Sequence, residues 1–168
     1  MSRSQTKEEA HLIAILGEIK LSLLYNKNTK SLRLLLIKAE NLEKKTPRDK
    51  LSFVVKTCLM PNKEQKQDSR QIRGSHDPQF NEEFIFTDLS MTDIKKKSLR
   101  LRVCNKQSRS VYLVGEVLLP LESLGLEHEE EVRMWRDLEA KCHSKVRLIR
   151  SLLAWHGTVT KYMHNHIW

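Results

Sequence analysis

Ser75-His-Asp-Pro-Gln-Phe-Asn-Glu-Glu-Phe-Ile-Phe86 joins a turn signal to a strand signal. Asp77-Pro78 favours a turn, because proline fixes its own φ and pushes the preceding residue out of the helical region. The aromatics at 80, 84 and 86 fall on alternate positions, the period at which a β-strand presents one face. The same alternation recurs on both sides. Gly17-Glu-Ile-Lys-Leu-Ser-Leu-Leu-Tyr25 runs into the turn-forming Asn26-Lys-Asn-Thr-Lys30, and Leu32 to Lys38 is a second apolar run. Leu51 to Met60 is a third, stopped by Pro61-Asn62, and Ser69-Arg-Gln-Ile-Arg73 is a short polar strand closed by Gly74. Further on, Leu99 to Cys104 and Tyr112 to Leu119 alternate, while Val132-Arg-Met-Trp-Arg-Asp-Leu138 is a strand of ambiguous register. Seven or eight short strands with turn signals about every 8–12 residues predict an antiparallel β-sandwich in which helices are secondary.

The 168 residues suit one domain with room for a tail. With 39% hydrophobic and 30% charged residues, the chain has the balance of a packed globular domain, which excludes wholesale disorder. Its longest uncharged apolar stretch, Leu12-Ile-Ala-Ile-Leu16, falls far short of the about 20 residues a membrane-spanning helix needs. Acid precedes that run and no small-residue cleavage site follows it, so no secretory signal is expected. Cys58, Cys104 and Cys142 are odd in number and widely spaced, which suits a reducing compartment. The expected location is the cytoplasm, peripheral on membranes, with the nucleus as the alternative.

Net charge is +9, but it is unevenly placed. Residues 20–110 hold 21 Lys and Arg against 10 Asp and Glu; residues 111–139 hold 2 against 8; residues 140–168 hold 5 against none. Such asymmetry points to an anionic partner, a phosphate backbone or an anionic membrane surface, although a basic surface without a partner would look the same. Catalytic signatures are absent: the chain has no GxGxxG, P-loop, HExxH or GxSxG. His156, His164 and His166 near Cys142 lack the second ligand pair of a zinc site. Glu82-Glu83 and Glu129-Glu-Glu131 read as solvated faces rather than acid/base couples. No RNP-like aromatic pair or helix-turn-helix is visible, so Phe80, Phe84, Phe86 and Trp135 are packing residues rather than base-stacking platforms. No enzyme, cofactor, metal or nucleic-acid partner is expected.

Taken in order, several segments resemble a synaptotagmin-type C2 domain. Gly17 to Tyr25 is similar to its first strand, and Ile37-Lys-Ala-Glu-Asn-Leu42 to the lead into its first calcium-binding loop. Ser75 to Phe86 resembles its N/D-P-x-F-N-E-x-F-x-F segment, Val114-Gly-Glu-Val-Leu-Leu-Pro-Leu121 its I-G-E-x-x-x-P strand, and Met134-Trp-Arg-Asp-Leu138 its closing strand. The resemblance implies an eight-stranded β-sandwich over residues 15–139, with functional loops clustered at one end. It leaves residues 1–14 as an N-terminal extension and 140–168 as a basic tail. Val146, Ile149, Leu152 and Leu153 in that tail recur at the spacing of a short amphipathic helix. In a second alignment Trp155-His156-Gly157-Thr158 partly resembles the family's terminal W-H-x-L, with Thr158 where leucine belongs, which would put Trp135 in a helix and extend the domain to about residue 160.

Calcium binding in that family needs several aspartates converging from two loops, because a hard cation takes 6–8 oxygen ligands. The resemblance places Thr46 and Ser52 at two of those positions and Asn105 and Gln107 at two more. Asp49 lies among Lys44, Lys45, Arg48 and Lys50, a setting that repels a divalent cation. A calcium-independent domain is therefore expected, and the basic groups become its candidate lipid or anion contacts. Lys63, Lys66, Arg70 and Arg73 fall where the family carries a polybasic patch for acidic phospholipid, and Lys44, Lys45, Arg48 and Lys50 belong to the first loop. A further basic cluster, Lys95-Lys-Lys97, is open to three readings: a nuclear-localisation-like patch, a lipid contact, or a charged turn. The implied function is that of a monomeric, non-catalytic module that binds acidic phospholipid weakly, and a protein partner, in vesicle trafficking and exocytosis. The alternative is a protein-interaction domain without lipid function, located in the nucleus.

Overall fold

Alternating apolar side chains let two sheets bury their inner faces against each other. In the computed structural model, which describes residues 16–140, nine strands do so. They are β1 (Glu18–Asn26), β2 (Ser31–Glu40), β3 (Ser52–Met60), β4 (Glu64–Asp68), β5 (Ile72–Arg73), β6 (Gln79–Phe86), β7 (Ser98–Lys106), β8 (Val111–Pro120) and β9 (Val132–Asp137); one short helix, α1 (Met91–Lys96), precedes β7. One antiparallel sheet has the order β6-β2-β1-β9 and the other β4-β3-β7-β8, with β5 also paired to β3. The alternating residues meet between them. Leu21, Leu23 and Tyr25 of β1, Leu32, Leu34 and Leu36 of β2, and Phe80, Phe84 and Phe86 of β6 face Phe53, Val55 and Leu59 of β3 and Leu99, Leu101 and Val103 of β7. The Tyr25 hydroxyl, carried into this core, donates to the Leu89 carbonyl at 2.6 Å.

The expected polar strand at Ser69 to Arg73 is corrected. Pairing with β3 is made earlier, by β4, and resumes only at the two residues of β5, so β4 and β5 amount to one interrupted strand of an eight-stranded sandwich. Ser69 lies at the interruption. Its N–H donates to the Val55 carbonyl at 2.8 Å while its hydroxyl accepts from the Val55 N–H at 2.8 Å, so a side chain replaces a carbonyl of the ladder. The ambiguous register at Val132 to Leu138 resolves through pairing with β1: Met134 lies opposite Leu21 and is buried, and Trp135 lies opposite Lys20 and faces outward. Trp135 is thus in the closing strand and not in a helix, and it is no core residue.

Both long sides of the sandwich are stitched. Along one, β4 of one sheet lies beside β6 of the other. Gln65 spans the gap twice, its amide nitrogen donating to the Thr87 carbonyl at 2.8 Å and its amide oxygen accepting from the Thr87 N–H at 2.9 Å. Gln67 donates to the Ile85 carbonyl at 3.1 Å, and Glu82 accepts from the Arg70 N–H at 2.9 Å. On the other side, the chain leaving β9 crosses to β8, where Glu116 and Glu139 exchange backbone hydrogen bonds of 2.8 and 2.9 Å. Gly115 permits this crossing: a Cβ there would lie 2.8 Å from the Leu138 Cβ.

A capping box starts α1, in which the Asp93 N–H donates to the Ser90 hydroxyl and the Asp93 carboxylate accepts from the Ser90 N–H. Lys95 and Lys96 therefore stand on a helix and not on a turn, and Lys97 is withdrawn from the cluster into ion pairs with Glu64 at 2.6 Å and Asp93 at 3.6 Å. The N-terminal extension, the tail helix, Cys142 and the tail histidines lie outside the described residues. Cys58 and Cys104 are free and buried. Among the described residues no helix is long and apolar enough to cross a membrane.

Candidate functional site

At one end of the sandwich three connections come together: residues 41–51 after β2, 74–78 after β5, and 107–110 after β7. Three of the four positions predicted from calcium-site alignment meet there, around Asn105, whose side chain is fully buried. Its amide oxygen accepts from the Ser52 N–H at 3.1 Å and from the Gln107 amide at 2.8 Å. Its amide nitrogen donates to Glu43 at 2.8 Å, to the Tyr112 hydroxyl at 2.9 Å and to the Lys50 carbonyl at 3.2 Å. Tyr112 in turn donates to the other Glu43 oxygen at 2.8 Å, and burial, then the Glu43 carboxylate, push its phenol above the ordinary value. Gln107 also donates to the Lys50 carbonyl, and Gln71 to the Ser52 hydroxyl. The outcome is a network of amides and hydroxyls in which Glu43 already has its partners. Thr46 is set apart: its N–H closes a turn onto the Glu43 carbonyl, and its side chain lines a neighbouring hollow with Lys44, Lys45 and Tyr112.

The polybasic strand does not assemble as one patch. Arg70 is turned towards the other sheet, donating to the Phe80 and Gln79 carbonyls, while Arg73 ends β5 at the loop end and Lys63 sits in the β3–β4 turn. Lys66 alone of the four reaches the outer face of the β4-β3-β7-β8 sheet, where it lines a shallow concavity of about 150 Å³ with Lys56, Arg100 and Arg102. Cross-strand register builds this group: Lys56 lies opposite Arg102 and Cys58 opposite Arg100. Lys56 pairs with Asp68 at 2.7 Å, and Arg102 pairs with Glu116 at 2.9 Å. Lys66 and Arg100 make no ion pair among the described residues. Sequence reasoning passed over Lys56, although a lone charge within the apolar run of β3 signals an outward position.

The opposite sheet presents a different surface. Trp135 is 36% exposed, and the Lys20 and Lys38 ammonium groups each stand 5.4 Å from the centre of its ring. Among the described residues no group of three or more His, Cys, Asp or Glu is placed to hold a metal ion.

The C2 domain family matches residues 30–138, which hold every strand of this sandwich from β2 to β9. The chain belongs to the C2 family. Among curated proteins, this C2 domain is 38% identical over 111 residues to mouse C2 calcium-dependent domain-containing protein 4C and 32% identical over 124 residues to Drosophila melanogaster synaptotagmin 1. These matches cover 64% and 73% of the chain but 26% of either relative, so the C2 domain spans about a quarter of the length of those proteins. Among solved structures, a C2 domain of RIM from Drosophila superposes with a TM-score of 0.64 at 22% identity, covering 74% of this chain and 99% of that one. The third C2 domain of KIAA1228 protein superposes with a TM-score of 0.67 at 22% identity, covering 79% and 94%. C2 domains are lipid- and protein-binding modules and not enzymes.

Proposed function

We propose that this C2 domain attaches to anionic membrane surfaces without calcium, through the concave face of the β4-β3-β7-β8 sheet, and serves vesicle trafficking as a non-catalytic adaptor. The observation that carries the reading is the convergence of Lys56, Lys66, Arg100 and Arg102 on one concavity. Each basic group near an anionic leaflet contributes about 1 kcal/mol, screened by salt. Lys56 and Arg102 must trade carboxylate partners for phosphate, so attachment is weak and gains from a second contact.

Calcium independence is supported by the chemistry at the loop end. A hard cation needs converging, uncommitted oxygens. Here Asn105 and Gln107 turn N–H groups inward, and Glu43 is held by Asn105 and Tyr112. A mouse relative carries calcium dependence in its name; this chain has Ser52, Asn105 and Gln107 at three positions where the resemblance to synaptotagmin-type C2 domains implies aspartate.

A second reading, protein binding without lipid function, is favoured by the exposed Trp135 between Lys20 and Lys38 on the far sheet. Co-sedimentation with phosphatidylcholine vesicles, with and without phosphatidylserine, in chelator and across salt, separates the two. We expect retention that needs phosphatidylserine, fades with salt, and falls in a Lys66→Glu/Arg100→Glu variant. Retention indifferent to lipid charge, or none, removes the membrane reading.

A further inference from the structure

β8 is the last strand of its sheet, and the two halves of its outer edge differ. One half is covered, because Glu139 exchanges backbone hydrogen bonds with Glu116 there at 2.8 and 2.9 Å. The other half, Val111-Tyr112-Leu113-Val114, has no strand along its outer side among the described residues. Val111 is 52% exposed and Tyr112 42%, and no charge or proline interrupts the four residues. An open apolar edge of this kind is a template for a further strand, and proteins cover or blunt it. Beside it lies the hollow that Thr46 lines, about 680 Å³ in volume, with apolar walls from Leu16, Leu113 and Val114 and carboxylates from Glu18 and Asp137; Lys44 and Lys45 line it too. Glu18 and Asp137 stand opposite each other across β1 and β9, and neither has an ion pair among the described residues. Two like charges in register repel, so the site favours an added cation.

The direction of the chain leaving β9 indicates what covers this edge. The Glu116–Glu139 bridge is antiparallel, so each further residue of the chain moves back along β8 towards Val111. Carried on in the same register, the pairing sets Lys141 opposite Val114, Cys142 opposite Leu113, His143 opposite Tyr112 and Ser144 opposite Val111. We propose that residues 141–144 of this chain add to β8 as a further antiparallel strand and close its open edge. The bridge already holds the first pair, so no loop has to be closed to form the next. Charge favours the same occupant. Residues 141–168 carry five Lys and Arg and no Asp or Glu, and Asp137, Glu139 and Glu18 lie about the point where they depart. Lys141 and Lys145 bring the first two of those charges to the three carboxylates. The added strand shares no residue with the concave face, so it stands whether or not that face meets a membrane.

The test is amide hydrogen exchange at Val111–Val114, followed by nuclear magnetic resonance in the full 168-residue chain, in a chain ended after Ala140, and in the full-length Cys142→Pro/His143→Pro variant. Successive N–H groups of a strand point to opposite sides, so the double substitution removes whichever of the two faces β8. The outward amides of Val111–Val114 exchange about tenfold faster in the shortened chain and in the proline variant than in the full chain, while those of β3 and β7 keep their rates. Circular dichroism confirms that both variants fold; if the shortened chain does not, the proline variant, which keeps every other residue, carries the comparison. Equal exchange at the edge with and without the prolines overturns the proposal. Edge protection that rises with protein concentration assigns the edge to a second copy and overturns it as well. So does protection that survives the prolines and disappears when residues 1–14 are removed, which assigns the edge to the N-terminal segment.

Discussion

Asn105 gathers more of the loop end than any neighbour, because an amide donates and accepts at once where a carboxylate only accepts. Replacing it by aspartate would remove the donor to Glu43, Tyr112 and Lys50 and set two carboxylates against each other. Asn105→Asp is expected to destabilise the domain by about 2 kcal/mol at neutral pH, measured by urea unfolding, with the loss shrinking as the pH falls and the new carboxyl protonates. Equal stability at neutral pH would mean that the network is not under tension from charge.

A second residue-scale prediction concerns acid. The Lys97 hydrogen bond holds Glu64 below its ordinary value of 4.5, and the Ser90 cap holds Asp93 below its ordinary value of 3.8. Both carboxyls are depressed on folding. Their contribution is therefore present above those ordinary values and is lost as the pH falls through the lower folded ones. Lys97→Met is expected to flatten the fall in melting temperature below about pH 4.5 relative to the unmodified protein. Parallel acid profiles for the two proteins would show that the pairing contributes nothing.

Elements whose apolar residues alternate were legible in the sequence, since Leu32, Leu34 and Leu36, or Leu99, Leu101 and Val103, can bury one face in only one register. The strand β4, Glu64-Gln-Lys-Gln-Asp68, has no apolar residue to betray it. It is held by its neighbours in β3 and by glutamine side chains reaching β6, and such tertiary bonds leave no period in the sequence. Helix α1 did carry a signal, the Ser90-Met-Thr-Asp93 capping box, but in six residues it shows too little periodicity to stand out against the following lysines. The Gln65 contact tests the stitched side directly. Gln65→Ala removes both bonds to Thr87 and is expected to cost about 1 kcal/mol in urea unfolding, with faster amide exchange at Thr87. Unchanged exchange at Thr87 would show that the side chain does not hold the sheets together there.

At the scale of the whole molecule, the basic surplus read from the sequence separates into distinct surfaces. Lys97 is committed to holding α1 against β4, Arg70 to joining the sheets, and Lys56 and Arg102 to ion pairs on the sheet face. Cations without an ion pair among the described residues remain on the concave face, at Lys66 and Arg100, at the loop end, at Arg48, Arg73 and Lys106, and also in the β3–β4 turn at Lys63 and on α1 at Lys95 and Lys96. The candidate site was legible only in part: Ser52, Asn105 and Gln107 do converge, whereas Lys63, Lys66, Arg70 and Arg73, grouped on the family resemblance, are spread by the structure over the β3–β4 turn, the sheet face, the gap between the sheets and the loop end. Arg100 and Arg102 sit beside Lys66 only because β7 pairs with β3, a neighbour relation across more than 40 residues of chain that no local pattern encodes.

The most direct measurement of calcium independence is a calcium titration of the full chain followed by backbone amide chemical shifts at Ser52, Asn105 and Gln107. The amide and hydroxyl network predicts no saturable shift at these three residues. Saturable movement of their signals on adding calcium would contradict it.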